Sequence, residues 1–421
     1  MERALLVTVK LESEKNGWSV FDMADELEEL AAASGAEVRQ GLTCLRDKPT
    51  PNFFIGKGKV EEIAALSSAE DLETVIFSCD LTGTQQRNLE EVIGRKVIDR
   101  TQLILDIFAR HARSPEGKMQ VELAQLEYLL PRLVGKGIML SRLGAGIGTR
   151  GPGEQKLEVD RRQIRRRIDK LKGELKRLIL HRKRLRKRRK EKALPSVTLV
   201  GYTNAGKTTL INALTNAGQY VQDSLFTTLD PVSKALHLAN GENIVISDTV
   251  GFLNGLPHHL IEAFKATLEE VIEADLLIHL VDAAHPRVHE QGKAVNNVLK
   301  ELGVDNMPVI TALNKIDLLD DPILLAQLSR DFPNPVAISA KLKKNLDELL
   351  LKVQDSFQPK VSLIEIDLPL SRMDLIGLFY REGKIIAIKY LPDSIKVKVN
   401  LPKLIISKYL RGVEIRYVDS S

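Results

Sequence analysis

The chain has little cysteine and no long apolar segment. Only Cys44 and Cys79 occur in its 421 residues, far apart and each in an apolar, strand-like run. Such cysteines are typical of small buried side chains in a reducing compartment, so we expect neither a disulfide nor a metal site at them. No apolar run approaches the ~18 residues of a membrane-spanning helix, and no signal-peptide pattern begins at Met1. We therefore expect a cytoplasmic protein without a transmembrane segment.

Positive charge is concentrated in one part of the chain. Residues 154–192 hold 19 Lys and Arg against 6 Asp and Glu, a balance of +13, whereas the remainder holds 42 against 50, a balance of −8. The densest run, 182–190, favours nucleic-acid binding; an acidic membrane and a solvated helix face are the alternatives.

Leucine-rich ladders flank a glycine-rich segment. The ladders cover residues 119–133 and 157–185, and their 3-4 spacing predicts an antiparallel helical hairpin. Between them, residues 135–153 contain seven glycines in nineteen positions. This segment is either a flexible tip that enters a narrow, phosphate-lined space or an unstructured linker.

A phosphate-binding loop follows the apolar run Val197–Val200. Its glycines let backbone N–H groups surround the phosphates, and Lys207 would reach the β and γ groups. The Thr208 hydroxyl would bind Mg2+, and Asp248, which follows a strand, would hold the ion through a water. This loop indicates a nucleoside triphosphate but not its base.

The base is specified by an Asn-Lys-x-Asp element at 314–317, which Ser339-Ala340-Lys341 follows in the expected order. The Asp317 carboxylate would accept two N–H bonds from the guanine edge. Adenine lacks the exocyclic amine and would leave this carboxylate unpaired, which is costly in a buried site. The sequence therefore predicts GTP binding.

Two loops are predicted to respond to the γ-phosphate. The first loop, 220–232, contains Thr227 and Thr228; the alternative is that these two are ordinary loop threonines. The second loop, 248–258, contains Gly251, whose N–H would bond the γ-phosphate. Many Ras-like switches carry a glutamine after this glycine to orient the attacking water, but here Phe252 occupies that place. We therefore expect slow intrinsic hydrolysis and stabilisation from a partner or an ion. Asn204 would either hold K+ beside the phosphates, by analogy with related GTPases, or only shape the loop.

The remaining parts predict two further α/β units. Strands at Ala4–Lys10, Glu37–Leu45, Thr74–Ser78 and Lys96–Asp99 alternate with helical patterns, which indicates a small parallel sheet. The C-terminal part has the order strand, helix, two strands, helix, strand. We predict a multidomain α/β protein with four parts: an N-terminal α/β domain (1–110), a basic helical hairpin (111–194), a Ras-like G domain (195–357) and an α+β domain (358–421).

The chain resembles the HflX family of GTPases. The segments that carry the resemblance are Phe54–Lys59, Gln120–Leu126, Gly148–Glu154, Asp223–Pro231 and Asp248–Phe252. It implies a GTP hydrolase that binds GTP or GDP, Mg2+ and ribosomal RNA of the large subunit. We expect the protein to be a monomer. The resemblance also implies hydrolysis activated by the ribosome, splitting or rescue of stalled ribosomes under stress, and ATP hydrolysis in some members. A ribosome-assembly or RNA-chaperone module with GTP as a regulatory ligand is the alternative, and a membrane-bound regulator is a third.

The residues and the resemblance together define the candidate site. Its catalytic candidates are Lys207, Thr228, Gly251 and Asn204, and its magnesium candidates are Thr208, Thr228 and Asp248, with Thr228 implied to sense the metal. The candidate nucleotide-binding residues are Gly201, Tyr202, Thr203, Asn204, Ala205, Gly206, Lys207, Thr208, Thr209, Phe226, Thr227, Thr228, Asp248, Thr249, Val250, Gly251, Asn314, Lys315, Asp317, Ser339, Ala340 and Lys341.

Overall fold

A computed structural model shows two compact units, Met1–Lys352 and Val353–Ser421. The described residues are 2–13, 17–133, 152–191, 194–215, 232–238, 242–255, 257, 260, 265–319, 321–357, 361–402, 406, 409–410 and 415–417. None of the helices in these ranges is long and apolar enough to cross a membrane. The four-part division of the chain at 110, 194 and 357 stays a prediction.

The first unit begins with a parallel sheet, as the alternation of strand and helix predicts. Its elements are β1 (Arg3–Leu11), α1 (Val20–Ala33), β2 (Glu37–Arg46), α2 (Lys57–Ala69), β3 (Thr74–Phe77), α3 (Gly83–Ile93), β4 (Lys96–Ile98) and α4 (Arg100–His111). The strand order is β2-β1-β3-β4, and every neighbouring pair is parallel. Ser19, Thr82 and Asp99 cap α1, α3 and α4 by accepting a backbone N–H of the first turn, which satisfies an otherwise unpaired donor. These caps fix the helix starts beside the carboxyl edge of the sheet.

Two helices follow, α5 (Pro115–Arg132) and α6 (Pro152–Glu191), and they run parallel where they touch. Glu122 accepts two hydrogen bonds from Arg167 at 2.6 and 2.7 Å, and these residues lie 45 positions apart. Lys172 pairs with Glu127 at 2.7 Å at the same sequence offset. Partners in an antiparallel pair would move in opposite directions along the two helices, so the predicted antiparallel hairpin is wrong. Heptad spacing defines an apolar seam but does not by itself fix the direction of the partner helix.

The α5–α6 seam is the one that the leucine ladders predict. Leu123, Ile168, Leu171 and Leu175 are buried in it, with Leu126 and Leu130 packed alongside. At 1.5 Å per residue the 40-residue α6 is about 60 Å long. The basic run 182–190 therefore lies at the far end of α6 from its start at Pro152. The glycine-rich residues 135–151 lie outside the described part of the chain.

The second half of the first unit is a six-stranded G-domain sheet. Its elements are β5 (Ser196–Gly201), α7 (Lys207–Thr215), β6 (Val232–His237), β7 (Asn243–Asp248), α8 (Lys265–Ile272), β8 (Leu276–Asp282), α9 (Val288–Glu301), β9 (Val309–Asn314), α10 (Pro322–Asp331) and β10 (Pro335–Ala337). The following helix, α11 (Leu346–Phe357), belongs to this unit as far as Lys352. The strand order is β10-β9-β8-β5-β7-β6, and only β6 is antiparallel to its neighbour. Ligands of such sheets bind where the parallel strands end, which places the motifs after β5, β7 and β9 together.

One hydrophobic core crosses from the N-terminal sheet to the G domain. Leu27 and Leu30 of α1 and Phe108 of α4 share it with Phe252 and Val298 of the G domain. Burial of apolar side chains from both halves in one core fixes their relative position, since neither half can separate without exposing them.

The second compact unit is a small antiparallel sheet. Its elements are β11 (Val361–Pro369), α12 (Asp374–Glu382), β12 (Lys384–Tyr390), β13 (Ser394–Pro402) and β14 (Ile415–Tyr417). The strand order is β12-β13-β11-β14, with every neighbouring pair antiparallel. The predicted order of strands and the first helix is confirmed; the predicted second helix falls in a stretch that is described only at 406, 409 and 410.

Candidate GTP site

The phosphate-binding loop joins β5 to α7, and its lysine is folded into the loop. Lys207 Nζ donates to the carbonyl oxygens of Gly201 at 3.1 Å and Tyr202 at 2.8 Å. The residue is only 7% exposed, and burial lowers the pKa of Lys207 to about 8 although Asp248 acts in the opposite direction. A phosphate dianion would relieve this cost, because it would supply the negative charge that the buried ammonium lacks.

Thr208 and Asp248 form an oxygen pair behind the loop. The Thr208 hydroxyl donates to Asp248 Oδ2 at 3.0 Å, and both residues are buried. The other carboxylate oxygen of Asp248 accepts the backbone N–H of Thr249 at 2.9 Å, which fixes the carboxylate plane. A hydroxyl and a carboxylate in a buried site are the donor set that Mg2+ takes beside phosphate oxygens, so these residues fit the ion.

The Asp-x-x-Gly segment lies directly against the phosphate loop. Thr203 N–H donates to Phe252 O at 2.9 Å, and Phe252 N–H donates to Gly201 O at 3.1 Å. A Cβ at Gly251 would lie 2.8 Å from Thr203 Cγ2 and 3.2 Å from Lys207 Nζ. Only glycine therefore fits at 251, beside the ammonium that would meet the γ-phosphate.

Asn314 connects three of the motifs. Its Nδ2 donates to Ala205 O at 2.8 Å, and its Oδ1 accepts the Ala340 N–H at 3.0 Å. A Cβ on Gly206, which has φ of +95°, would run into the same Nδ2. The asparagine thus braces the phosphate loop against the Ser339–Lys341 element, and it is 2% exposed.

The residues of the base pocket differ in their exposure. Lys315 has a left-handed backbone with φ of 64°, and its Nζ lies 2.7 Å from Asp282 Oδ2 at the end of β8. Asp317 is exposed in a single turn of 3-10 helix, Ile316–Leu318, where its carboxylate is open to a ligand. Ser339 and Ala340 are buried, whereas Lys341 is exposed.

The two threonines of the first loop cannot be placed beside these groups. Phe226, Thr227 and Thr228 lie outside the described residues, so the metal-sensing role of Thr228 stays a prediction. Thr209 follows in α7 and is half-buried. Asn204 is exposed, with φ of 61°, and its side-chain amide makes no hydrogen bond within the described part of the chain.

Phe252 is buried rather than turned toward the nucleotide. It is 2% exposed and belongs to the core that α1 and α4 share with the G domain. Val250, another candidate, is buried in the same core. The position that carries a water-orienting glutamine in many switches therefore holds an anchor for the N-terminal half of the unit.

Tyr202 reaches into the same interface from the phosphate loop. Its hydroxyl donates to Glu26 Oε1 and accepts the Asn254 N–H at 2.9 Å. Arg100 Nη2 donates to Glu26 Oε2 and to Asn254 O, both at 2.8 Å. Burial, together with the Glu26 carboxylate, raises the pKa of Tyr202, so the phenol stays protonated and donates. Both backbone groups of Asn254 are thus held by side chains that converge on Glu26.

A second contact joins α1 to the start of α9. Arg287 Nη1 donates to Asp22 O at 2.6 Å, and its guanidinium lies 4.8 Å from the centre of the Trp18 ring. Trp18 stacks in turn on Tyr202, with ring centroids 6.4 Å apart. The only tryptophan of the chain therefore bridges the phosphate loop and α9.

Relatives of this chain identify its family. It is 47% identical over 400 residues to "GTPase HflX" of Caldanaerobacter subterraneus subsp. tengcongensis, which covers 95% of this chain and 91% of that protein. The chain belongs to the HflX family of GTPases. "GTPase HflX" of Escherichia coli strain K12 is 43% identical over 385 residues, which covers 90% of this chain and 88% of that protein.

Three family profiles match successive parts of the chain. The profile "GTP-binding GTPase N-terminal" matches residues 22–109, "GTP-binding GTPase Middle Region" matches 111–189, and "50S ribosome-binding GTPase" matches 196–315. A crystal structure of a GTP-binding protein from Sulfolobus solfataricus in complex with GDP is 28% identical, with a TM-score of 0.44, and covers 85% of this chain and 98% of that chain. From its relatives and the third profile, the chain is a GTP hydrolase of a ribosome-binding GTPase family.

Sequence motifs missed the residues that hold the site from the N-terminal side. Glu26, Arg100, Asn254 and Arg287 belong to no nucleotide motif, because their partners come from distant elements. One signal was available: phenylalanine at 252 puts an apolar ring after a glycine-containing turn, where a partner surface must cover it.

Proposed function

We propose that this chain is a GTPase whose hydrolysis is activated by the large ribosomal subunit. The observation that carries the proposal is the burial of Phe252, which is 2% exposed. Without a glutamine there, no side chain at this position orients the attacking water, so a partner has to supply that stabilisation. The "50S ribosome-binding GTPase" profile supports the ribosome as this partner. We also propose that the protein is cytoplasmic, as such a partner implies, and that it acts as a monomer.

The proposed roles of the site residues follow from their contacts. Lys207 would leave the carbonyl oxygens of Gly201 and Tyr202 and bind the β- and γ-phosphates. Thr208 and Asp248 would hold Mg2+, with Thr228 joining them, and the Gly251 N–H would bond the γ-phosphate. The Asp317 carboxylate would select guanine. The ion supplies charge neutralisation at the phosphates, and the protein positions the groups around it.

We further propose that Asn204 holds a potassium ion beside the phosphates. Its amide makes no hydrogen bond within the described residues, so it does not brace the loop from within. A neutral amide oxygen suits a large monovalent cation, whose charge would stabilise the transferring phosphoryl group. Asn204→Ala should then remove the difference between potassium and sodium buffers while GTP affinity changes little. A potassium effect of equal size in both proteins would contradict this role.

The test of the main proposal is GTP turnover with and without purified large subunits. Wild-type protein alone should hydrolyse GTP slowly, and large subunits should increase its rate many-fold. Lys207→Ala should show neither the slow intrinsic hydrolysis nor the stimulated hydrolysis. Tight GTP binding with turnover that subunits leave unchanged would contradict the proposal and favour an assembly or RNA-chaperone module. We propose splitting or rescue of stalled ribosomes as the task, which sedimentation of 70S particles with the protein and GTP would test.

A further inference from the structure

The long helix α6 presents a basic face on the side away from α5. Its apolar residues Ile164, Ile168, Leu171 and Leu175 pack on α5. Residues of a helix advance about 100° each, so Gly173 lies opposite this seam. Within about 60° of Gly173 on the helical wheel lie six exposed basic residues: Arg162, Arg166, Lys170, Lys176, Arg177 and Arg184. They extend over about 33 Å of the helix.

This face is poorly neutralised by the chain itself. The ion pairs that join α6 to α5 use Arg167 and Lys172, which lie to the sides of the face. On the face, Lys170 lies 4.0 Å from Glu174, the neighbour one turn on. No ion pair involves Arg166 or Arg177 among the described residues. Between residues 158 and 184, Asp169 and Glu158 are the acidic residues within about 60° of Gly173, against six basic ones, so the balance of this part is positive.

Gly173 at the centre of this face is not required by the chain's own packing. A Cβ built there would meet no atom within 4 Å, and the residue is exposed. Glycine in a helix interior is unfavourable because it loses the most backbone entropy on folding. Among the basic side chains of this face, a residue without a side chain leaves the backbone open to close approach by another molecule.

We propose that an RNA backbone crosses α6 at Gly173, between the side chains of Arg166 and Arg177. The two arginines lie one to two turns on either side of the glycine, so phosphates can bind them while a sugar or phosphate rests on the bare helix. The proposal rests on the proposed function and deepens it, since it gives the ribosomal RNA a docking surface apart from the run 182–190.

RNA fits this face better than a lipid surface does. An amphipathic helix binds a membrane through a continuous apolar side, and the apolar side of α6 is used up against α5. The exposed apolar residues on this side, Val159 and Leu180, are isolated: Val159 precedes Arg162, and Leu180 lies between Arg177 and Arg184. Positive charge distributed along one face of a helix suits a polyanion, whose phosphates are spaced along the same direction.

The central test compares Gly173→Gln with Gly377→Gln. Gly377 is also an exposed helical glycine where an added Cβ would meet no atom within 4 Å, and it lies in α12 of the second unit. Binding of each full-length protein to purified large ribosomal subunits would be measured by sedimentation over a range of salt. Gly173→Gln should bind about tenfold more weakly, and Gly377→Gln should bind like wild type. Both should melt no lower than wild type, because glutamine is the better helix former.

A charge test separates close approach from electrostatics. Arg166→Gln/Arg177→Gln should weaken binding and flatten its salt dependence by about 0.7–0.9 log units for each lost phosphate contact. Arg330→Gln/Arg381→Gln removes the same charge from exposed residues elsewhere and should leave the slope unchanged. Gly173→Ala should weaken binding less than Gly173→Gln does.

The outcomes distinguish this surface from the proposed function. If wild type binds subunits and Gly173→Gln binds equally well, the surface is refuted and the function stands. If wild type does not bind subunits, the docking surface and the proposed function are both refuted. If Gly173→Gln loses affinity for vesicles of phosphatidylglycerol but not for subunits, the face is a lipid surface and the proposal is wrong.

Discussion

The Tyr202 hydroxyl is the smallest group whose removal tests the contact between the phosphate loop and α1. Tyr202→Phe keeps the ring, and with it the stacking on Trp18. It removes the acceptor of the Asn254 N–H, which lies 2.9 Å away, and the donor to Glu26 Oε1. Glu26 keeps Arg100 at 2.8 Å, so its charge stays paired. The change therefore isolates one bridge between the two halves of the unit.

The expected effect is a local loss of protection at Asn254. The Asn254 N–H is part-buried, so loss of its hydrogen bond costs about 0.5–1.5 kcal/mol, which corresponds to a factor of about 2 to 13 in an opening equilibrium. Hydrogen exchange of the 250–255 segment in nucleotide-free protein measures that factor directly. A global unfolding midpoint is less informative, because a chain of several domains need not unfold in one step.

The matched control is Tyr380→Phe, which removes the same hydroxyl from a side chain that is 66% exposed. It should leave exchange of the 250–255 segment unchanged and shift stability by less than about 0.5 kcal/mol. If Tyr202→Phe leaves the Asn254 amide as protected as in wild type, then the hydrogen bond to the Tyr202 hydroxyl does not stabilise this segment, and the reasoning is refuted.

Three further changes test other parts of the unit. Between about pH 8 and pH 10.5 the unfolded chain binds one more proton at Lys207 than the folded chain does. Over that range the free energy of unfolding of the nucleotide-free wild type, measured by urea titration, should therefore rise by about 3 kcal/mol relative to that of Lys207→Met. Below the folded pKa the difference should not change with pH, and a loss of stability on raising the pH would contradict the burial of the ammonium. Phe252→Gln should cost about 3–5 kcal/mol of stability, because position 252 is 2% exposed. For the same reason this change should not speed intrinsic GTP turnover. Faster turnover would show that the glutamine side chain can reach the attacking water. Asp99→Asn should cost about 1.5–3 kcal/mol of stability, because Arg132, itself partly exposed, donates to the buried Asp99 carboxylate at 2.8 Å. GTP affinity measured by fluorescence should stay the same.

The sequence predicted those features that depend on short-range patterns. The parallel N-terminal sheet follows from strand runs that alternate with helical ones, and its four strands occur where they are expected. The phosphate loop, Asp248 and Asn314 converge because parallel strands bring their carboxyl ends to one edge. In each case the information lies within a few residues of the feature, so one chain is enough to find it.

What the sequence did not predict depends on partners that are distant along the chain. The direction of α6 against α5 is an example, since Glu122–Arg167 and Glu127–Lys172 could be recognised as pairs only once the offset was known. Spacing at 3-4 intervals is the same for parallel and antiparallel seams. The Glu26–Tyr202 contact joins residues 176 positions apart, and neither residue shows a periodicity that would reveal it.

The burial of Phe252 connects the Asp-x-x-Gly segment to the N-terminal half of the unit. Gly251 would meet the γ-phosphate, Phe252 is inserted in the core shared with α1 and α4, and Asn254 is bonded to Tyr202 and Arg100. Gly251, Phe252 and Asn254 are close together in the chain. A movement of the backbone at Gly251 would therefore strain the contacts of Phe252 and Asn254. If GTP shifts this segment by any factor in its equilibrium, contacts made by Glu26 must shift GTP affinity by the same factor. A family that placed a glutamine at 252 would gain a water-orienting group and lose this coupling, because a buried amide without partners would not stay in the core.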